Sequence, residues 1–379
     1  MPTRLGISAQ ATARLLRSRW IVVGLVAAGA AVATGGRGDW NDFVAVGRQL
    51  TGNAGLHVYV QNPGTQTGPL SLLLARAIAT TPLDGFLLQV VLCLGLGMVV
   101  VVTTERAGVR VGVPVRNGQF TTLLGGSVLM VWWGELGGFG HLDDAIAIAA
   151  GVAATVLMQR PRRHPWASAV MIGVGAAAKP WAVLFLPLVL VGVVDGRRVR
   201  WRGLGPFAAA CVACAVVWLP FVLADRGTLQ SLHPQVFVAP DSVLTLFGST
   251  SAEFAPGWLR AAQFAAALAV GVVLVARRRS FGLVLAVLAV RLATDPGTWS
   301  YFTCGLVAGA LLWDQAAARR RLPWATLLAS VLVAPSWFGL PDRVQAVMRF
   351  GAALFAIAIV LAGRADAQPM SGLPEDVAP

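Results

Sequence analysis

Long apolar runs separated by short polar segments fill this chain, and the spacing of the breaks predicts a bundle of helices. Runs able to cross a bilayer fall at 20–34, 85–104, 119–134, 143–159, 165–178, 181–194, 203–223, 258–276, 281–294, 299–313, 322–340 and 344–362. The predicted fold class is an all-α polytopic membrane protein of about twelve transmembrane helices. It forms a single domain over residues 1–364, and the polar tail 365–379 is read as disordered. Gly35 to Trp40 offers no small-x-small cleavage site, which predicts that the first helix is retained.

Two runs break the pattern. Only about thirty apolar residues separate Arg163 from Arg197, too few for two full spans of about twenty each. The segment therefore reads as a hairpin of two short or bent helices meeting at Lys179-Pro180. The stretch between Arg279 and Arg319 behaves alike, with its bend over Arg291 to Gly297 around Asp295-Pro296. Broken backbone at membrane depth is tolerated where it is buried in protein or lines a watery cavity, so both bends are expected to border one cavity.

Charge orients the bundle. Arginine clusters (Arg14, Arg17, Arg19; Arg160, Arg162, Arg163; Arg197, Arg198, Arg200, Arg202; Arg277 to Arg279; Arg319 to Arg321) close the runs on one side. Asp39, Asp42, His141, Asp143, Asp144, His233, Asp241 and Asp295 close them on the other. Basic loops resist translocation, so both termini are predicted to be cytoplasmic and the acids to gather at the outer face of the cell membrane. Only 12% of residues are charged, 56% are hydrophobic and mean hydropathy is +0.71, which excludes a soluble globule. The net charge of +13 follows from the arginine loops and requires no nucleic-acid partner. Cys93, Cys211, Cys214 and Cys304 all lie in apolar runs, so Cys211-x-x-Cys214 reads as helix packing.

The candidate chemistry lies at the acidic end. The first outer loop, Gly35 to Thr81, carries Asp39 and Asp42 beside Trp40 and Phe43, then an apolar piece, Pro69 to Ile78, suited to an interfacial helix. A carboxylate at a desolvated mouth can have its pKa raised toward that of a general base; the alternative is a solvated loop acid. Asp143 and Asp144 open the fourth span, where acids also favour a helix N-terminus, but that preference does not account for His141. Lys179, the single lysine, stands mid-run before Pro180; it either meets an anionic partner or snorkels. Arg291 and Asp295 read equally well as an ion pair at the second bend or as part of an anion site. No Walker loop, dinucleotide fingerprint, HExxH or nucleophile elbow occurs.

These residues resemble the polyprenol-phosphate-dependent glycosyltransferases of the GT-C class, and most closely family 87, the actinobacterial membrane mannosyl- and arabinofuranosyltransferases. Three patches carry the resemblance. The first is an acid after the first helix, followed by Gly47-Arg48-Gln49-Leu50, Leu56-His57-Val58-Tyr59 and Gly68-Pro69-Leu70. The second is Gly140-His141-Leu142-Asp143 with Ala178-Lys179-Pro180-Trp181. The third runs from Arg291 through Asp295-Pro296-Gly297 to Tyr301. Thr67-Gly68-Pro69 departs from the Tyr-Pro-Pro common in that family, and the chain is short for it.

The resemblance implies a GT-C-type bundle that transfers a sugar, with inversion, from a polyprenyl-phosphate donor to a glycolipid or cell-envelope glycan. It implies Asp39 as catalytic base with Asp42 as rival, Lys179 and Arg291 on the donor phosphate, and His141, Asp143, Asp144, Tyr59 and His233 orienting substrate. No cofactor, nucleotide or obligatory metal is expected. The rival from another class is a multi-pass transporter or lipid flippase, which would also have broken helices around midplane charges.

Overall fold

The computed structural model describes residues 9–363 apart from 35, 37, 160–162, 193, 196–197, 200–203, 232–235, 251–252 and 318–321. Helices make up about 80% of it, and a two-residue antiparallel ladder joins Val194–Asp195 to Arg198–Val199. Every predicted run folds as helix, with changed ends. The second extends to Gly85–Arg110, and the third lies within Val115–Gly138, which carries a π-helical turn at Thr122–Gly126. The eleventh shortens to Trp324–Val333 followed by a 3-10 turn, Pro335–Phe338. Four helices are long and apolar enough to cross a membrane: Gly85–Arg110, Leu204–Ala224, Trp258–Ala276 and Asp342–Ala362. Val212, Val216, Leu219 and Leu223 form an exposed stripe at helical spacing along Leu204–Ala224. In water such a face would drive aggregation, so these helices mark a membrane protein.

Both predicted bends are present, for the same local reason. A proline clashes with a helical conformation at the residue before it. Helix Pro165–Ala178 accordingly stops at Lys179, which is extended (φ −148°, ψ 123°), and the chain resumes as a 3-10 helix, Pro180–Gly192. Helix Leu283–Thr294 stops at Asp295 (φ −79°, ψ 126°), immediately before Pro296. A 3-10 turn at Ser300–Thr303 and helix Cys304–Ala317 follow.

The first loop is more ordered than its sequence indicated. It folds as helices Trp40–Leu50, Val58–Gln61 and Pro69–Ile78 with a 3-10 turn at Gly55–His57. Pro69–Ile78 buries Leu72, Ala75 and Ile78 on one face and leaves Leu73 exposed on another. The polar contacts gather at the two ends of the bundle. Arg19 pairs with Glu105 at 2.7 Å, and Asp314 accepts from the backbone of Ala325 and Thr326, at one end. The first loop and both bends meet at the other. The four cysteines are free, and Cys211 and Cys214 lie within helix Leu204–Ala224.

Gly68 ties the loop to the first bend. Its N–H donates to the Ala178 carbonyl at 2.7 Å, and the Ser71 hydroxyl donates to the same oxygen at 3.2 Å. A Cβ at Gly68 would stand 2.1 Å from the Ala177 carbonyl oxygen, which is backbone and cannot swing aside. Gly68→Ala should therefore cost about 1–3 kcal/mol, the range for forced overpacking. Gly95→Ala, mid-helix and with nothing within 4 Å of the new methyl, should not destabilise the fold. Thermal unfolding of the two variants in micelles checks this; equal midpoints would contradict the close approach.

Candidate active site

The site is assembled where the first loop, the helix opening at Leu142 and the two bends converge. Gly38 (φ +40°) adopts a left-handed conformation, and a Cβ there would sit 2.2 Å from the Phe139 carbonyl oxygen. That approach lets the Asp39 N–H donate to Phe139 at 3.1 Å and brings the Asp39 carboxylate to the end of the following turn, at His141.

A chain of alternating charge runs inward from Asp39. His141 is buried, with Nε2 3.3 Å from Asp39 Oδ2 and Nδ1 3.5 Å from both Asp143 Oδ1 and Asp144 Oδ2. The edge of Phe43 packs on the imidazole, ring centroids 5.7 Å apart. Lys179 Nζ lies 2.6 Å from Asp143 Oδ2 and 3.2 Å from Asp144 Oδ2. The Thr67 hydroxyl donates to Asp143 at 2.8 Å, and the Trp181 indole N–H donates to Asp144 at 2.8 Å. His141, Asp143 and Asp144 are near enough to serve as ligands to one cation, but the Lys179 ammonium already supplies the positive charge between the two carboxylates.

Burial opposes charge on His141, but bonding to Asp143 and Asp39 outweighs it and raises the imidazole pKa above its ordinary value. Asp39 moves the opposite way to the sequence expectation. Its bond to His141 outweighs partial burial and holds its carboxyl below the ordinary range. Its side chain is 53% exposed, so the mouth desolvates it too little to raise its pKa.

The second bend contributes cations. The Arg291 guanidinium lies between the faces of Trp181 and Phe302, 4.6 and 4.9 Å from the ring centroids. Its Nε is 3.6 Å from Asp295 Oδ2, while Arg260 Nη1 approaches Asp295 Oδ1 at 3.3 Å and Gln263 Oε1 at 3.0 Å. Two guanidinium groups thus meet at one carboxylate.

Two cavities meet here. The larger, about 690 Å³, is lined by Asp39, Asp42, His141, Gln61, Asn62 and Trp299 among others; the smaller, about 400 Å³, by Trp181, Trp218, Phe264, Arg260 and Arg291. Lys179 and Gln66 line both. Residues of both bends line each cavity, Lys179 with Arg291 in the smaller and Lys179 with Trp299 in the larger.

The candidate residues are not all equal in this arrangement. Asp39, Asp42, His141 and Lys179 face the larger cavity; Lys179 and Arg291 face the smaller. Asp143 and Asp144 stand behind them, bound to Lys179 and Trp181. Lys179 is buried and committed to two acids, so it neither snorkels nor presents an uncompensated charge. Tyr59 lines neither cavity. It is fully buried against Trp218 and Phe221, and its hydroxyl donates to the Thr67 carbonyl at 3.0 Å, bracing the loop that carries Gln66. His233 lies outside the described residues. Arg260 was overlooked, although a signal existed: it is a cation at the predicted outer end of a span, against the trend of the other arginines.

No protein-family model matches this chain, and no curated protein sequence does either. What fold and site define is a helical membrane protein with a charged, two-chambered site at one end of its bundle.

Because its folded pKa is raised, His141 stabilises the fold at low pH, and this contribution is lost as pH rises through that value. The thermal midpoint of wild type relative to His141→Gln should therefore decline as pH rises above the ordinary imidazole value of about 6.5. A difference independent of pH would show that the imidazole is not charged by its carboxylates.

Proposed function

We propose that the protein is an inverting GT-C-type glycosyltransferase of about twelve spans, using a polyprenyl-phosphate-linked mannose or arabinofuranose as donor. One observation carries this reading: an apolar chamber lined by two arginines adjoins a polar chamber lined by carboxylates, and Lys179 and Gln66 line both. An amphiphile with a phosphate next to its lipid chain matches the first chamber, and a hydroxyl acceptor matches the second.

In this reading Arg260 and Arg291 hold the donor phosphate, and the polyprenyl chain leaves along Trp218 and Phe264. Lys179 neutralises Asp143 and Asp144 and forms the wall between the chambers. The acceptor oxygen attacks the anomeric carbon from the face opposite the phosphate. As the new C–O bond forms, the bond to phosphate breaks, the polyprenyl phosphate departs with the electron pair, and Asp39 takes the acceptor proton. A weakly basic carboxylate suffices, because the hydroxyl becomes strongly acidic once bonding to carbon has begun. The arginines stabilise charge that grows on the leaving phosphate. His141, held by Asp143 and Asp144, fixes the orientation of Asp39. Asp42 lines the same chamber without a bond to His141, which favours Asp39 as the base. The acceptor is a glycolipid or cell-envelope glycan at the outer face.

Purified protein is incubated with radiolabelled polyprenyl-phosphate-mannose or -arabinose and candidate glycolipids. Asp39→Asn should lower turnover at least ~100-fold with donor affinity retained. Arg260→Gln should weaken donor binding by roughly 1.5–3 kcal/mol, the range for charge-assisted hydrogen bonds. Activity lost in Asp42→Asn but kept in Asp39→Asn would move the base to Asp42. A protein that flips the lipid in proteoliposomes without transferring sugar is a carrier.

Orientation is tested separately. Cysteines introduced as Asn53→Cys and Gln230→Cys should react with an impermeant thiol reagent in intact cells, and Arg277→Cys should not. The reverse pattern would put the site on the cytoplasmic side.

A further inference from the structure

The larger chamber is lined very differently from the smaller one. Its acids are Asp39 and Asp42, while its two basic groups, Lys179 and His141, lie against Asp143, Asp144 and Asp39, so acids outnumber cations at this chamber. An anionic ligand would be repelled. The rest of the polar lining consists of carboxamides and hydroxyls on one short segment, Gln61 to Thr67, with Gln49 beside it. Asn62 donates to Gln49 Oε1 at 2.6 Å and to the Val58 carbonyl at 2.9 Å, so one amide is held in place and the other is oriented by it. Gln61 and Gln66 line the chamber from the same segment. Amides offer a donor and an acceptor side by side, the pairing that adjacent sugar hydroxyls require.

Trp299 also lines this chamber. Its side chain is accessible, 62% exposed. Its backbone is nevertheless firmly held. Buried Arg349 pairs with the Asp241 carboxylate and donates to the Thr298 carbonyl at 3.1 Å, and the Thr298 hydroxyl donates to Asp241. The Ala239 N–H donates to the Pro296 carbonyl at 2.9 Å, and the Ser242 hydroxyl to the Asp295 carbonyl at 2.9 Å. The second outer loop and the last helix thus pin both sides of the bend from which Trp299 projects. A fixed aromatic face in the same chamber as a row of amides suits a sugar ring, whose C–H face stacks on the indole while its hydroxyls meet the amides.

The geometry points to a binding site for a neutral carbohydrate in the larger chamber, with Trp299 as its stacking platform and Gln61, Asn62 and Gln66 as its hydroxyl readers. Arg349 and Asp241 are positioning residues that hold the platform. The inference deepens the transferase reading by naming the residues that hold the acceptor, and rests on it for the role of the bound sugar.

Direct binding tests it. The full chain in lipid nanodiscs, free of glycoside detergents, is titrated with methyl α-oligomannosides and with arabinofuranosyl oligosaccharides, and binding is read by saturation-transfer NMR. Wild type should bind one of the two series. Trp299→Ala should weaken it about ten-fold, the scale of an aromatic stacking contact, and Trp299→Phe should restore most of it. Trp258→Ala, which removes an exposed tryptophan that lines neither chamber, should change nothing. Undiminished binding in Trp299→Ala, failure of Trp299→Phe to rescue, or no binding to wild type would overturn the site. Glycan binding without sugar transfer would sink the transferase reading and leave this site standing. Sugar transfer with an unchanged acceptor KM in Trp299→Ala would do the reverse.

Discussion

A buried lysine between two buried aspartates is the constraint on which the rest of the site depends. Asp143, Asp144 and Lys179 are each at most 6% exposed, and leaving any one of them without its partner would strand a charge in a medium that solvates it poorly. The three positions come from different elements: the start of one helix and the extended break after another. Their attraction therefore sets the relative height of those elements in the bundle. The neighbouring contacts build on that choice. Thr67 reaches Asp143 because Gly68 is bonded to Ala178, one residue before the lysine, and Trp181 reaches Asp144 from the residue after Pro180.

Trp181 extends the constraint to the second bend. Its N–H satisfies Asp144 while its face receives Arg291, so one side chain couples the acidic cluster to the arginine pair. Charges of opposite sign are in this way kept in adjoining chambers without collapsing onto one another. Asp295 prevents the two guanidinium groups from repelling each other apart, and Lys179 does the equivalent for the two aspartates. The result is a boundary at which polarity and charge change over the length of one residue.

The depression of the Asp39 pKa follows from the same arrangement. Acids at both nitrogens of His141 raise its pKa, and the bond from this imidazole lowers that of Asp39. An isolated acid at a desolvated mouth would respond in the opposite sense. The site thus maintains an ionised, oriented carboxylate at its mouth rather than a strongly basic one, which suits a reaction whose leaving group does most of the activation.

Much of the fold was legible from residues alone. Apolar runs marked the long helices of the bundle, because helix is the structure that satisfies its own backbone in an apolar medium, but not the loop helices Trp40–Leu50 and Val58–Gln61. The two X-Pro steps marked the bends, because proline excludes helix at the residue before it. Charge segregation put Asp39, His141, Asp143 and Asp295 at one end, and the bends carried Lys179 and Arg291. Their pairing was not legible. Whether Lys179 would meet a substrate or Asp143 depended on the relative placement of two helices, which no local pattern encodes. Tyr59 looked like a contact residue and is a buried brace, since its neighbours Trp218 and Phe221 come from a helix far along the chain. Arg260 and Trp299 acquired meaning only from the chambers they line. Sequence determined which segments are helical, where they break and which end carries the charge, because those are local or composition-driven effects. Tertiary structure alone decided which charges neutralise each other and which remain facing a cavity, because that depends on distances of a few ångströms between residues far apart in the chain.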